Sequence, residues 1–242
     1  MKIRAFTAIS GALVSLSLAA PSAEAFPIPG SYAPLFEAPA VVPQKGNPAG
    51  KLVEKFSLSS LIGKSRIMLL TYPKNCTFIC PTELIALKNR IDDFHELGYE
   101  VLVLSTDEAY LDKDKEASHQ AWRMKSDKPA AGDRNTPIGI GDADFIMVSD
   151  ADHKIIRNYG VEGEDGLALR ATFFIDKQGK VQISEVQMNS IGRDVDELYR
   201  KAAALKFVEE NEGMLVPQGW QPGDAGMERS HKGVRKQIKK QN

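Results

Sequence analysis

Two cysteines, Cys76 and Cys80, stand four residues apart in a chain of 242 residues. Thiol chemistry is therefore the first possibility to weigh. That spacing makes no disulfide framework, and with no second pair it makes no zinc site. Cys80 is followed by Pro81, a residue that suits the first turn of a helix because its missing N–H costs nothing there. Leu84, Leu87, Ile91 and Phe94 then recur at three- and four-residue steps, the period of a helix face. Cys80 is thus expected at a helix start, where unpaired backbone N–H groups and the helix dipole favour an anion. The thiolate is an anion and is the nucleophilic form. Placed so, Cys80 can attack an electrophile. The competing reading is a small buried hydrophobe, as free cysteines often are.

The elements that must position this thiol follow from pattern. An apolar run in Arg66–Tyr72 reads as a buried strand entering the cysteine segment, preceded by a short strand and turn around Phe56–Lys64. Gly98 ends the helix, and Glu100–Ser105 reads as the next strand. Part of Asp107–Lys128 is expected to be helical, and Lys128–Gly141 is loop. Phe145–Val148 is strand-like, and Asp150–Tyr159 a short helix stopped by Gly160. Leu169–Asp176 and Lys180–Val186 flank a turn at Lys177–Gly179 and read as a hairpin. Asp194–Val208 reads as a helix packed on the sheet. Strands alternating with helices, with a late hairpin, predict an α/β fold: a mixed central sheet flanked by helices on both faces.

Composition sets the bounds. The net charge of −1 gives no sign of a nucleic-acid binder, and the four histidines are scattered without metal-ligand spacing. No cofactor or metal is expected. Residues 1–25 look like a secretory signal peptide. Lys2 and Arg4 form a positive start, Ile9–Ala20 is apolar but too short to span a bilayer, and Ala23-Glu24-Ala25 is a small-x-small cleavage site. Export to the periplasm or outside the cell is the expectation, with no membrane anchor. Residues 26–50 read as an extended N-terminal arm, 51–209 as the folded domain, and 210–242 as a C-terminal segment whose basic end, Lys232–Asn242, is a solvated tail.

Pro73, Thr77 and Cys80 in the pattern Pro-x-x-x-Thr-x-x-Cys, continued as Cys-Pro-Thr-Glu, resemble the active-site signature of the peroxiredoxins, in their alkyl hydroperoxide reductase C-like, typical two-Cys subgroup. Further matches fall in order: Ser105-Thr106-Asp107, His119-Gln120-Ala121-Trp122, the strand Arg170–Asp176, the turn Ile191–Asp194, and Pro217-x-Gly-Trp220-x-Pro222-Gly223. The resemblance covers roughly residues 51 to 223 and implies a thioredoxin-like fold. It implies a thiol-dependent peroxidase in which Cys80 attacks the O–O bond of hydrogen peroxide or an alkyl hydroperoxide and becomes a sulfenic acid. Thr77 would hydrogen-bond the peroxide, Pro73 would shield the sulfur, and Arg170 would stabilise thiolate and peroxide together. Glu83 can cap the helix N-terminus, and in the family it pairs with arginines. The implied partners are a peroxide, a thiol reductant (a thioredoxin-like protein or a small thiol) and further copies of the chain, as a dimer or a ring of dimers.

The chain departs from that pattern at three places. Val216 stands where typical members carry their resolving cysteine, so resolution falls to an external thiol or to Cys76. Residues Ile138-Gly139-Ile140-Gly141 replace a Gly-Gly-Leu-Gly segment, and a lysine-rich end replaces the usual Tyr-Phe-bearing helix. Two other classes compete with the peroxidase. One is a holdase-type chaperone or peroxide sensor on the same fold. The other is a thiol–disulfide oxidoreductase, which would normally show Cys-x-x-Cys.

Overall fold

The computed structural model describes residues 26–110, 117–128, 133 and 135–241. The expected signal peptide, and parts of the segments read as helix and loop between Asp107 and Gly141, lie outside them.

The fold grows from β3 (Arg66–Thr71), every residue of which is buried. Its side chains alternate between two apolar clusters, as a strand in mid-sheet requires. Met68 and Leu70 join one cluster, with Leu84 and Leu87 of α1 (Cys80–Asn89), Phe94 of α2 (Ile91–Glu96) and Leu198 of α5 (Val195–Glu210). Ile67 and Leu69 join the other, with Ile155 and Ile156 of α4 (Lys154–Asn158) and the segment around Ala33. Burying each of these aliphatic side chains contributes about 1.5–3 kcal/mol. β4 (Tyr99–Ser105) runs parallel to β3, and β5 (Ile146–Ser149) parallel to β4. β6 (Arg170–Ile175) pairs antiparallel with β3 and forms the expected hairpin with β7 (Val181–Gln187). With β1 (Glu37–Val42) and β2 (Lys51–Ser57) the sheet has seven strands in the order β2-β1-β5-β4-β3-β6-β7. It is mixed and covered by helices on both faces, the thioredoxin-like α/β architecture expected.

Three readings need correction. The arm at residues 26–50 contains β1, a full member of the sheet between β2 and β5. Pro39 and the alanines around it hide the strand period, and the register shifts between Ala38 and Ala40, where a proline in a strand is tolerated. The pattern Leu84–Phe94 reads as one helix but is two, broken at Arg90 (φ −115°, ψ 10°). The basic end is α6 (His231–Gln241), preceded by a small antiparallel pair, β8 (Met214–Leu215) and β9 (Met227–Glu228). Basic residues at helical spacing are compatible with either state, so charge alone gave no sign of this helix. No described helix is long and apolar enough to cross a membrane.

Candidate active site

β3 delivers the chain to the mouth of the sheet, and the segment Tyr72–Ile79 loops over its end into α1. Cys80 is the first residue of α1, with Pro81 after it, and no side chain caps that helix start. The sulfur is wholly buried. Arg170 opens β6, next to β3, and its guanidinium reaches the thiol from the neighbouring strand. Nη1 and Nη2 each donate to Cys80 Sγ at 3.5 Å. The same Nη1 donates to Glu83 Oε2 at 2.5 Å, and Nε donates to the Asn189 carbonyl at 3.0 Å, so all three nitrogens are engaged and the fork is fixed.

Glu83 does not cap α1. Its carboxylate turns toward the turn before α5, where Arg193 donates from its backbone N–H (2.6 Å), Nε (3.0 Å) and Nη2 (3.1 Å). Arg193 Nη1 also donates to the Thr71 and Ala171 carbonyls at 3.0 and 2.8 Å, which ties the cluster to the ends of β3 and β6. A carboxylate shared by two guanidiniums is better satisfied there than at a helix start, because both partners of those hydrogen bonds carry a full charge. Arg193 was read from the sequence only as part of a turn. The signal that could have found it is its place immediately before the predicted helix, beside the matched Ile-Gly.

Pro73 is buried and Thr77 half-buried in the same loop, where the Thr77 hydroxyl donates to the Lys74 carbonyl at 3.1 Å. Phe78, two residues before the thiol, is 94 % exposed. Cys76 is half-buried with φ 55°, the left-handed region that non-glycine residues rarely adopt. Lys125 Nζ donates to its sulfur at 3.7 Å. Burial pushes the Cys76 thiol up, against the pull of Lys125. The structure thus brings Cys80, Arg170 and Glu83 into direct contact, with Pro73 and Thr77 in the loop that leads to the thiol. Cys76 points its sulfur toward a lysine.

Gly139 explains how that lysine is held. A Cβ there would lie 2.1 Å from the Lys125 carbonyl oxygen, so only glycine allows this approach. Around it, Trp122 Nε1 of α3 (His119–Met124) donates to the Ile138 carbonyl and Lys88 Nζ to the Ile140 carbonyl.

A buried cysteine at an uncapped helix start, facing a fixed guanidinium, can perform a nucleophilic displacement on a small polar electrophile. Comparison with known proteins agrees. The profile of the AhpC/TSA family matches residues 29–184, and that of the C-terminal domain of 1-Cys peroxiredoxin matches residues 204–241. Alkyl hydroperoxide reductase C of Helicobacter pylori J99 is 40 % identical over 210 residues, covering 86 % of this chain and 94 % of the relative. The chloroplastic 2-Cys peroxiredoxin BAS1 of Arabidopsis thaliana is 37 % identical, covering 85 % and 69 %. Among solved structures, the reduced 2-Cys peroxiredoxin of Plasmodium vivax superposes with a TM-score of 0.72 at 34 % identity, over 87 % of this chain and 97 % of that one.

Proposed function

The chain belongs to the AhpC/TSA family and is a thiol-dependent peroxidase, and we propose that Cys80 is the atom at which the peroxide is cleaved. The observation that carries this is the fork of Arg170 on the Cys80 sulfur. The thiolate pair attacks one peroxide oxygen, the O–O bond breaks, and the leaving oxygen departs as alkoxide or hydroxide and takes a proton. Cys80 is left as sulfenic acid, two electrons more oxidised. Arg170 offsets negative charge on sulfur and on the departing oxygen. Thr77, already oriented by the Lys74 carbonyl, accepts from the peroxide hydroxyl, and buried Pro73 keeps water from the sulfur. A holdase has no need of a fixed guanidinium on a buried thiol.

The cycle closes through an external thiol. Val216 is the residue at the position of the family's resolving cysteine, and the only other thiol in this sequence, Cys76, lies in a conformation that the loop must leave before a disulfide can form. The reductant is a thioredoxin-like protein or a small thiol, which displaces the sulfenic hydroxyl as water. Copies of the chain associate as a dimer or a ring of dimers. The edge strand β7 favours this, because Val186 is exposed on it and Met188 and Ile191 just beyond it. Residues 1–25 direct export, on the strength of their charge, apolar run and small-x-small site.

Intact-mass analysis after one equivalent of hydrogen peroxide tests the reading. The expected product gains one oxygen, is trapped by dimedone and is absent in Cys80→Ser, while Cys76→Ser still forms it. A loss of two hydrogens would instead assign resolution to Cys76, and peroxide consumption by Cys80→Ser would remove Cys80 from the reaction. Mass spectrometry of the mature N-terminus tests export, with Phe26 as the expected first residue.

A further inference from the structure

The eleven residues of α6 include Lys232, Arg235, Lys236, Lys239 and Lys240 and no acidic residue. Lys232 and Lys236 stand four apart, as do Arg235 and Lys239, and like charges at that spacing weaken a helix. A helix shorter than ~12–15 residues is marginal in water even without that repulsion. The start of α6 is secured by the fold. The Ser230 hydroxyl accepts from the Gly233 N–H at 3.0 Å, and the Ser230 carbonyl accepts from the Val234 N–H at 3.1 Å. Gly233 is buried against β9, where a Cβ would run into the Glu228 carbonyl oxygen. The basic side chains have no such support: among the described residues, no carboxylate pairs with Lys232, Arg235, Lys236 or Lys239.

The seat on β9 fixes which way the helix faces. Gly233 and Gln237, half-buried and four residues on, mark the side toward the protein. Val234 and Ile238, again four apart, come out about a quarter-turn round from it. They are 42 % and 51 % exposed. Arg235, Lys239, Lys232 and Lys236 follow on the far side, all of them exposed. The helix therefore shows solvent an apolar strip with a basic strip beside it. The whole chain has a net charge of −1, so the remainder of the molecule is acidic. Screening confines the reach of the basic strip to roughly 10 Å, which makes it a local feature rather than a property of the overall charge.

We propose that α6 is a docking surface for an anionic lipid bilayer. The helix lies along the membrane, with Val234 and Ile238 entering the boundary between headgroups and acyl chains and Lys232, Arg235, Lys236 and Lys239 on the lipid phosphates. The bilayer supplies what the fold does not: negative charge for the basic strip and cover for the apolar pair. The two strips together select this occupant. A nucleic acid would meet the basic strip but leave Val234 and Ile238 in water. An apolar groove on another protein would cover those two and leave the charges unrelieved. The attachment is peripheral and reversible, because two aliphatic side chains anchor far less than a membrane span. The surface acts independently of the chemistry at Cys80.

The test is co-sedimentation of the full mature chain with vesicles, either of equal parts phosphatidylglycerol and phosphatidylcholine or of phosphatidylcholine alone. Wild type is expected to pellet with the first and not the second, and to be released by high salt. Lys236→Gln and Lys239→Gln are each expected to weaken binding about fivefold. Val234→Ser combined with Ile238→Ser should weaken it about tenfold. An unchanged melting temperature in free solution shows that each variant is folded. Ile238→Trp gives a separate reading: the emission it adds should shift to the blue on the anionic vesicles. Failure to pellet with anionic vesicles, or equal pelleting with both kinds, overturns the inference. So does binding that falls in the glutamine variants, is untouched in the serine variant, leaves Ile238→Trp unshifted and is matched by retention of single-stranded DNA, which is the behaviour of a surface for soluble polyanions. If the serine variant does not fold, Ile238→Trp decides.

Discussion

A guanidinium that is already bonded on every nitrogen cannot rearrange when a substrate arrives, and its field is then available without reorganisation. Arg170 is in that condition. Arg170→Ala should slow oxidation of Cys80 by about 10²–10³-fold, the usual loss of a preorganised charge-stabilising donor, and Arg170→Lys should retain part of the rate because it keeps the charge but not the fork. Second-order rates with hydrogen peroxide measure both. His119 gives a pH prediction. Burial above all, with Arg123 adding repulsion and the Val148 carbonyl opposing, lowers its pKa to about 4. Tyr72 and Asn75 are the other polar groups against its ring, with Asp107 beyond Asn75. An unfolded histidine titrates near ~6.5. Between that pH and about 4 the unfolded chain binds a proton that the folded chain does not, so stability rises with pH across this window and is lost below it. The loss is on the order of 3 kcal/mol. The difference between wild-type and His119→Gln denaturation profiles should carry that slope, and a flat difference would refute the assignment. The contact of Arg170 with Cys80, and the place of Pro73 and Thr77 in the loop ahead of it, were legible because the resemblance rests on a short motif and a strand start. The resemblance implied that Glu83 pairs with arginines, but Arg193 as one of them was not legible, since the contacts between the two span 110 positions of the chain.

The elements differ in how openly they declare themselves. β3, β4 and β6 are continuous apolar runs, and their number and order could be read directly. β1 could not, because three of its six residues are alanine or proline before the two valines, and its identity comes from pairing on both sides. α6 was missed for a related reason: its residues favour water, and only its apposition to β9 organises them. The segment around Gly139 is short, irregular and decisive for Lys125. Gly139→Ala must displace either that segment or the end of α3, since the added carbon would meet the Lys125 carbonyl at 2.1 Å. A cost of about 1–3 kcal/mol is expected, the range for overpacking a close contact. Thermal denaturation checks it, and alkylation of Cys76, slower once the Lys125 contact that favours its thiolate is disturbed, reports the local change.

At the scale of the whole molecule, alternation of strand and helix patterns was enough to predict the mixed sheet, because that architecture buries runs on both faces and each run is visible. The surface carries the next level of organisation. Phe78 at 94 % and Met188 at 67 % exposure are large apolar side chains on one chain's surface. Sedimentation velocity at micromolar concentration should give a species of at least dimer mass, and Met188→Glu together with Ile191→Glu should shift it toward monomer. A stable wild-type monomer would contradict the association proposed from β7.

The cluster around Cys80 also has a charge balance that the reaction itself upsets. With the sulfur as thiolate, two negative groups, Cys80 and Glu83, face two positive ones, Arg170 and Arg193, and the buried set is neutral. Oxygen transfer converts the thiolate to an uncharged sulfenic acid and exports the negative charge with the leaving group. The same four residues then hold one positive charge in excess in a place where Glu83, Arg170 and Arg193 are almost wholly shielded from water. An uncompensated charge in such a place is costly. The substrate's chemistry thereby weakens the closed arrangement at the moment when the sulfur has to be handed to a reductant, and the enzyme needs no second ligand to tell it that turnover has begun.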